Sequence, residues 1–132
     1  MTLQIPPNCD LTLGLTCLDK SVPGTTVWTM TADERMANPA GQIQGGFLAA
    51  MADSAMGASA VTALKGRRAS VANTELSIAL LRSVRPGERL TCTARVLKVG
   101  ATITFVEARI VDGEGRAVAT AHSSYLTKAR AE

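Results

Sequence analysis

Two hydrophobic rhythms divide the chain. Over residues 45–64, GGFLAAMADSAMGASAVTAL, apolar residues fall on nearly every side of a 3.6-residue period. The segment is rich in Ala, Leu and Met, follows the turn-like Asn38-Pro39-Ala40-Gly41-Gln42, and stops before the cationic Lys65-Gly66-Arg67-Arg68, as a helix C-terminus prefers. It predicts one long helix. Elsewhere the period is two. The runs at 70–81, 89–99, 102–111 and 117–126 alternate or are β-branched, and their separators VRPGE, GA and DGEGR contain Gly or Pro. They predict four strands paired consecutively as an antiparallel meander. Ahead of the helix, 13–18 and 25–31 predict a further hairpin around Val22-Pro23-Gly24. The order is two strands, one helix, four strands, an α+β arrangement. A helix apolar nearly all round is satisfied by lying across the concave face of a curved antiparallel sheet, with a second copy covering its other face.

Charge sharpens this picture. Between Met36 and Leu64 the only ionisable side chain is Asp53, although 19% of all residues are charged. The segment is therefore expected to be buried, and a membrane span is the competing reading. A central Asp, two opening glycines and Gly57 argue against a span. At 132 residues, 46% of them hydrophobic, the chain suits one domain over 1–132. The N-terminus has no basic start and no unbroken apolar stretch, so a cytoplasmic location is expected. Cys9, Cys17 and Cys92 form no ligand-like pair, which argues against a disulfide framework or a metal site. The net charge of +3 favours an anionic partner, but 3% aromatic content and no basic run beyond Lys65, Arg67 and Arg68 argue against nucleic acid.

Two features carry chemistry. Gly45 and Gly46 open the helix, where backbone N–H groups have no intrahelical acceptor and absent side chains permit close approach of a carbonyl. The alternative is simply a tight start to a packed helix. Asp53 is a lone carboxylate in apolar surroundings, a costly placement unless it is used or hydrogen-bonded. It is the candidate general base or nucleophile, the alternative being a structural carboxylate.

Asn38, Gly41, Gln44, Gly45, Gly46, Leu48, Asp53 and Gly57, with the later runs NTELSIALLRSVRPGE and LKVGATITFVEARIVDGEGRAVATA, resemble hotdog thioesterases of the phenylacetate-degradation type. The resemblance covers nearly the whole chain after about residue 10. It implies a hotdog fold and hydrolysis of acyl-coenzyme A without a cofactor or metal. It also implies dimers that pair into tetramers. One departure matters: the histidine usual in that family is Gln44 here, and an amide cannot shuttle a proton. By motif position Asn38 is the amide that holds the attacking water or the thioester, its alternative being an Asn-Pro turn. Gln44 holds the carbonyl, orients Asn38, or caps the helix. Asn73 sits near the water, or is merely an exposed strand residue. Gly46, Phe47 and Gly57 belong with the substrate. Lys98, Gly100 and Ala101 form a strand-turn similar to the family's coenzyme A contact, and Arg82 and Arg85 flank the phosphates or are solvated loop charges. Phe47, Met51, Met56 and Leu80 are candidate acyl-pocket residues, and His122 is given no catalytic role.

In this reading the Gly45 N–H stabilises the oxyanion and Asp53 delivers water or attacks directly. Eight residues of helix separate them by about 12 Å, so one helix cannot bring both to one carbonyl. Two helices antiparallel across a dyad can, with Ala49, Gly57 and Ala60 permitting close approach. Two other functions compete: a hydratase or dehydratase, which needs a histidine beside Asp53, and a non-catalytic acyl or coenzyme A binding module.

Overall fold

A computed structural model describes residues 5–64 and 69–129; the cluster Lys65, Arg67 and Arg68 lies outside them. Helix α1 spans Asn8–Leu13, strands β1 and β2 span Thr16–Asp19 and Thr25–Thr31, and a single 3-10 turn covers Glu34–Met36. The long helix α2 spans Gly45–Ala63, followed by β3 (Ala69–Leu80), β4 (Arg89–Val99), β5 (Ile103–Val111) and β6 (Ala117–Ala129). Six antiparallel strands and one long helix match the expected architecture.

Two expectations need correction. Residues 13–18 are not one strand: Asn8–Leu13 form α1, and β1 starts at Thr16. Gly14, in the left-handed region at φ 68°, ends α1 by turning its N–H back to Asp10 and Leu11 carbonyls. Nor do the last four strands form a simple meander. The sheet order is β1-β2-β4-β5-β6-β3. The passage through α2 carries the chain to the far edge, where β3 pairs with β6, and residues 81–88 return it to place β4 beside β2. Only β4, β5 and β6 meander.

One face of α2, made of Leu48, Met51, Ala52, Ala55, Met56, Ser59 and Ala60, is buried on the sheet. These positions recur at three and four residues, the stripe that a helix turns toward a single surface. They meet inward residues of alternate strand positions, including Met30, Leu90, Cys92, Ala94, Val106, Ile110 and Tyr125. Ala60 therefore belongs to the core rather than to a helix-helix surface, and a Cβ added to Gly57 would lie 3.8 Å from the Tyr125 ring. The outward stripe of α2 instead carries Gly46, Ala50, Asp53, Ser54, Gly57 and Val61.

Polar pins fasten the helix to the sheet. The Ser59 hydroxyl donates to the Ala94 carbonyl (3.0 Å) and lies 2.7 Å from the Thr26 hydroxyl, which also reaches the Ala55 carbonyl at 3.1 Å. Trp28 Nε1–H donates to Thr26 Oγ1 (2.8 Å), and the Gly24 N–H donates to Thr62 Oγ1 (3.0 Å). Each buried hydroxyl thus has the partner that burial demands.

Candidate active site

Asp53 lies midway along α2, half-buried at the border between the core face and the open stripe. Two side chains from the sheet converge on it. Asn73 Nδ2 of β3 donates to Asp53 Oδ1 at 2.6 Å, and the Tyr125 hydroxyl of β6 donates to the same oxygen at 2.8 Å. The hydroxyl also lies 3.1 Å from the Asp53 carbonyl oxygen. This convergence follows from register: Asn73 is paired with Tyr125, and strand alternation turns both toward the helix. Burial, reinforced by the hydrogen bond to Asp53 and by that carboxylate's charge, pushes the Tyr125 hydroxyl well above its ordinary pKa of 10.0. It stays protonated, a donor. The sequence reading placed Asn73 near the reacting groups but assigned nothing to Tyr125.

Asp53 forms part of the wall of a cleft of about 480 Å³ between α1 and α2, with Cys9, Thr12, Leu13, Gln44, Gly46, Phe47, Ala50 and Ser54. Gln44 is the N-cap residue of α2, yet its side chain makes no capping bond and is exposed on this cleft. Met51 and Met56 are fully buried in the core and line neither this cleft nor the next. Of the other two candidate acyl-pocket residues, Phe47 faces the Asp53 cleft and Leu80 the second one.

The second cleft, about 330 Å³, lies at the N-terminal end of α2 and brings together Asn38, Gly45, Leu80 and Arg82. Here the backbone N–H groups of Gly45 and Gly46 meet no acceptor among the described residues, whereas the Phe47 N–H reaches the Gln44 carbonyl at 3.0 Å. Asn38 serves the turn: its Oδ1 accepts from the Ala40 and Gln42 N–H groups at 3.0 and 3.1 Å. That leaves Nδ2 as the remaining donor of this side chain. Arg82 and Arg85 both border an adjoining surface depression with Arg116.

The expected coenzyme A residues divide between the two ends of the sheet. Asn73 pairs with Tyr125, Tyr125 with Thr104, and Thr104 with Val99, so the end of β4 bearing Lys98 and the β4–β5 turn bearing Gly100 and Ala101 lie at the Asp53 end. Three strand spacings put that turn about 14 Å from β3 across the sheet. Arg82 follows the opposite end of β3, with Gly45. His122 alternates with the inward Ser123, is exposed, and pairs with Glu107 on the outer face, so the sheet separates it from Asp53. Burial pushes the Cys92 thiol up to about 12, leaving it a structural group. Among the described residues no group of three His, Cys, Asp or Glu could hold a metal, and no helix is long and apolar enough to cross a membrane.

Residues 40–119 match the Thioesterase superfamily model. Acyl-coenzyme A thioesterase 13 of Homo sapiens is 26% identical over 121 residues, covering 90% of this chain and 85% of that protein, and its Pongo abelii counterpart gives the same figures. The E. coli PaaI protein from the phenylacetic acid degradation operon superposes with a TM-score of 0.84 at 25% identity, covering 92% of this chain and 84% of its own. A putative thioesterase from Ralstonia eutropha, a phenylacetic acid degradation-related protein, gives 0.83 at 27% identity, covering 94% and 92%. A six-stranded sheet on one long helix, a glycine-opened helix and a family match over most of the chain lead to one assignment: the chain belongs to the thioesterase superfamily and is a PaaI-like thioesterase of the hotdog fold.

Proposed function

We propose that the protein hydrolyses an acyl-coenzyme A thioester to free acid and coenzyme A, with Asp53 as general base or nucleophile and the Gly45 N–H as oxyanion donor, the two meeting across a dimer interface. The observation that carries this reading is the arrangement along α2. A carboxylate held by two donors sits at mid-helix, and unpaired N–H groups sit at the helix start about 12 Å away. Antiparallel pairing of two copies about a dyad between Gly45 and Asp53 sets the start of one helix beside the middle of the other. The names of the human and orangutan relatives supply the acyl-coenzyme A class.

In the base route Asp53 takes a proton from water as the water oxygen bonds to the carbonyl carbon. The carbonyl electron pair moves onto the oxygen facing Gly45. When that pair returns, the C–S bond breaks and the thiolate leaves, taking up the proton from Asp53. In the nucleophile route a carboxylate oxygen bonds to the carbonyl carbon and expels the thiolate, and water then hydrolyses the mixed anhydride. Neither route needs a strong acid for the leaving group, because a thiol of pKa about 8.5 departs readily. Nothing here requires an imidazole, consistent with Gln44, and the remote His122 gives the hydratase reading no partner for Asp53.

Asp53→Asn keeps the size of the side chain and removes the base or nucleophile, so kcat on an acyl-coenzyme A panel is expected to fall on the order of 100-fold or more. Wild-type-like turnover by this variant sinks the mechanism. A wild-type protein that binds acyl-coenzyme A esters but turns over none across short, medium, long and aryl acyl groups is a binding module instead. Oxygen-18 from water entering the Asp53 carboxylate in one turnover distinguishes direct attack from base catalysis.

A further inference from the structure

Both hydrogen bonds to the Asp53 carboxylate end on the same atom. Asn73 and Tyr125 donate to Oδ1, and among the described residues nothing donates to Oδ2. A carboxylate otherwise turns easily about its last torsion, because that torsion is broad and two-fold. Two donors from separate strands, converging on one oxygen, stop the rotation and draw charge toward that oxygen. We propose that Tyr125 is a positioning residue for the thioesterase reaction, holding Oδ1 of Asp53 together with Asn73 so that Oδ2 is the oxygen presented to water or to the thioester carbonyl. This rests on Asp53 being the reacting carboxylate, and it holds for either route.

The position of Tyr125 suits the task better than that of Asn73. Tyr125 is 3% exposed, whereas Asn73 stands exposed on the edge strand β3. Its single hydroxyl proton points between Oδ1 at 2.8 Å and the Asp53 main-chain oxygen at 3.1 Å, so the hydroxyl lies against the helix backbone as well as the side chain. The ring lies alongside Gly57, the residue one turn after Asp53, where a small residue leaves room for it. Because the hydroxyl keeps its proton, it donates to the carboxylate throughout the ordinary working range of pH. Tyr125 also lies beyond the segment 40–119 that matches the family model, so that match assigns it nothing.

The test is a coupled set of variants on the full-length protein. Tyr125→Phe keeps the ring and removes only the hydroxyl. It is expected to lower kcat about tenfold or more with KM within about twofold and thermal unfolding still cooperative. In the Asp53→Asn background the same change is expected to alter the residual rate by less than about twofold, since no carboxylate remains to be positioned. Asn73→Ala, at an exposed site that does not test the core, is expected to lower kcat as well and to combine with Tyr125→Phe non-additively. Undiminished kcat in Tyr125→Phe overturns the proposal, and so does an equal loss in both backgrounds, which marks Tyr125 as a structural anchor. If Tyr125→Phe does not fold, unchanged kcat in Asn73→Ala overturns it by itself. Full activity of Asp53→Asn is a separate result that defeats the underlying function rather than the role of Tyr125.

Discussion

The Cδ1 atom of Leu80 occupies the space that a Cβ on Gly45 would need. A side chain at position 45 must push that methyl aside, which the far end of a leucine on the sheet edge can allow. This makes the backbone N–H separable from the bare glycine. Gly45 is the first residue of α2, where proline is favoured, and Gln44 before it has φ −63° and ψ 135°, the conformation that a residue preceding proline prefers. Gly45→Pro therefore removes the N–H without breaking the helix, while Gly45→Ala brings a similar Cβ and keeps the N–H. We expect Gly45→Pro to lose about 100-fold or more in kcat and Gly45→Ala to lose far less. Steady-state kinetics on one acyl-coenzyme A ester decides it; equal losses assign the effect to Leu80 rather than to the oxyanion donor.

A shared site also predicts complementation. Asp53→Asn and Gly45→Pro chains are each expected to be nearly inactive, yet hybrids formed by mild unfolding and refolding together hold one intact site. Random pairing makes half the dimers hybrid, so about one quarter of wild-type activity should return. Verified hybrids without activity, from two folded parents, mean that the two groups do not meet across the interface.

Tyr125 carries a consequence for alkaline stability. Its pKa is raised in the folded chain above the ordinary value of 10.0, so above about pH 10 the unfolded chain loses a proton that the folded chain keeps. The contribution is complete below pH 10 and is lost progressively as pH climbs toward the folded value. Urea midpoints measured between pH 9 and 11 should fall more steeply for the wild type than for Tyr125→Phe. Parallel curves would contradict the assignment of that titration to Tyr125.

The Ser59 hydroxyl is a structural counterpart to these reactive groups. Ser59→Ala removes its bond to Ala94 and leaves Thr26 one partner short in a dry interior, at a cost of about 1–3 kcal/mol. The urea midpoint should drop with an unchanged m-value, and KM should hold. A neutral substitution would mean that the remaining acceptor, the Ala55 carbonyl, fully satisfies Thr26.

Alternation and turn residues made each of β2 to β6 legible to within three residues at either end, and the uniform apolarity of α2 marked its helix. Sheet order was not legible, because Thr25–Thr31 and Ala69–Leu80 carry the same alternating pattern and either could have lain beside Arg89–Val99. Helix α1 had local signals, Pro7 at its N-cap, Asp10 in the first turn and Gly14 after it, which the alternation of 13–18 obscured. Asp53 and the opening glycines stood out because chemistry and composition singled them out along a short stretch. Tyr125 did not, since its partner is 72 residues away and Ala121-His122-Ser123-Ser124-Tyr125 reads only as a strand. The one usable cue was that alternation puts Tyr125 on the same face as Ser123, toward the helix. Ala60 was misplaced because composition says that a residue is small, not which way it points.

The polar pins on α2 all fall in one part of it. Thr26, Ser59, Thr62 and Tyr125 tie residues 53–62 to the sheet or to the β1–β2 connection, and among the described residues no side-chain hydrogen bond does the same for residues 45–52. The helix is thus pinned by side chains from its middle to its C-terminal end, while its start is held by packing and by the backbone bonds of Ile43 N–H to the Val84 carbonyl and Gln44 N–H to the Met36 carbonyl, with two glycines that cost the most entropy to order. Opening fluctuations should then begin at the first turns and leave the anchored half closed. Amide exchange would register this as a gradient along a single helix, fastest at Gly45 and Gly46 and slowest near Ala55 to Ala60. On that expectation the free N–H groups sit on the looser first turns of α2, and the carboxylate sits where the side-chain pins begin.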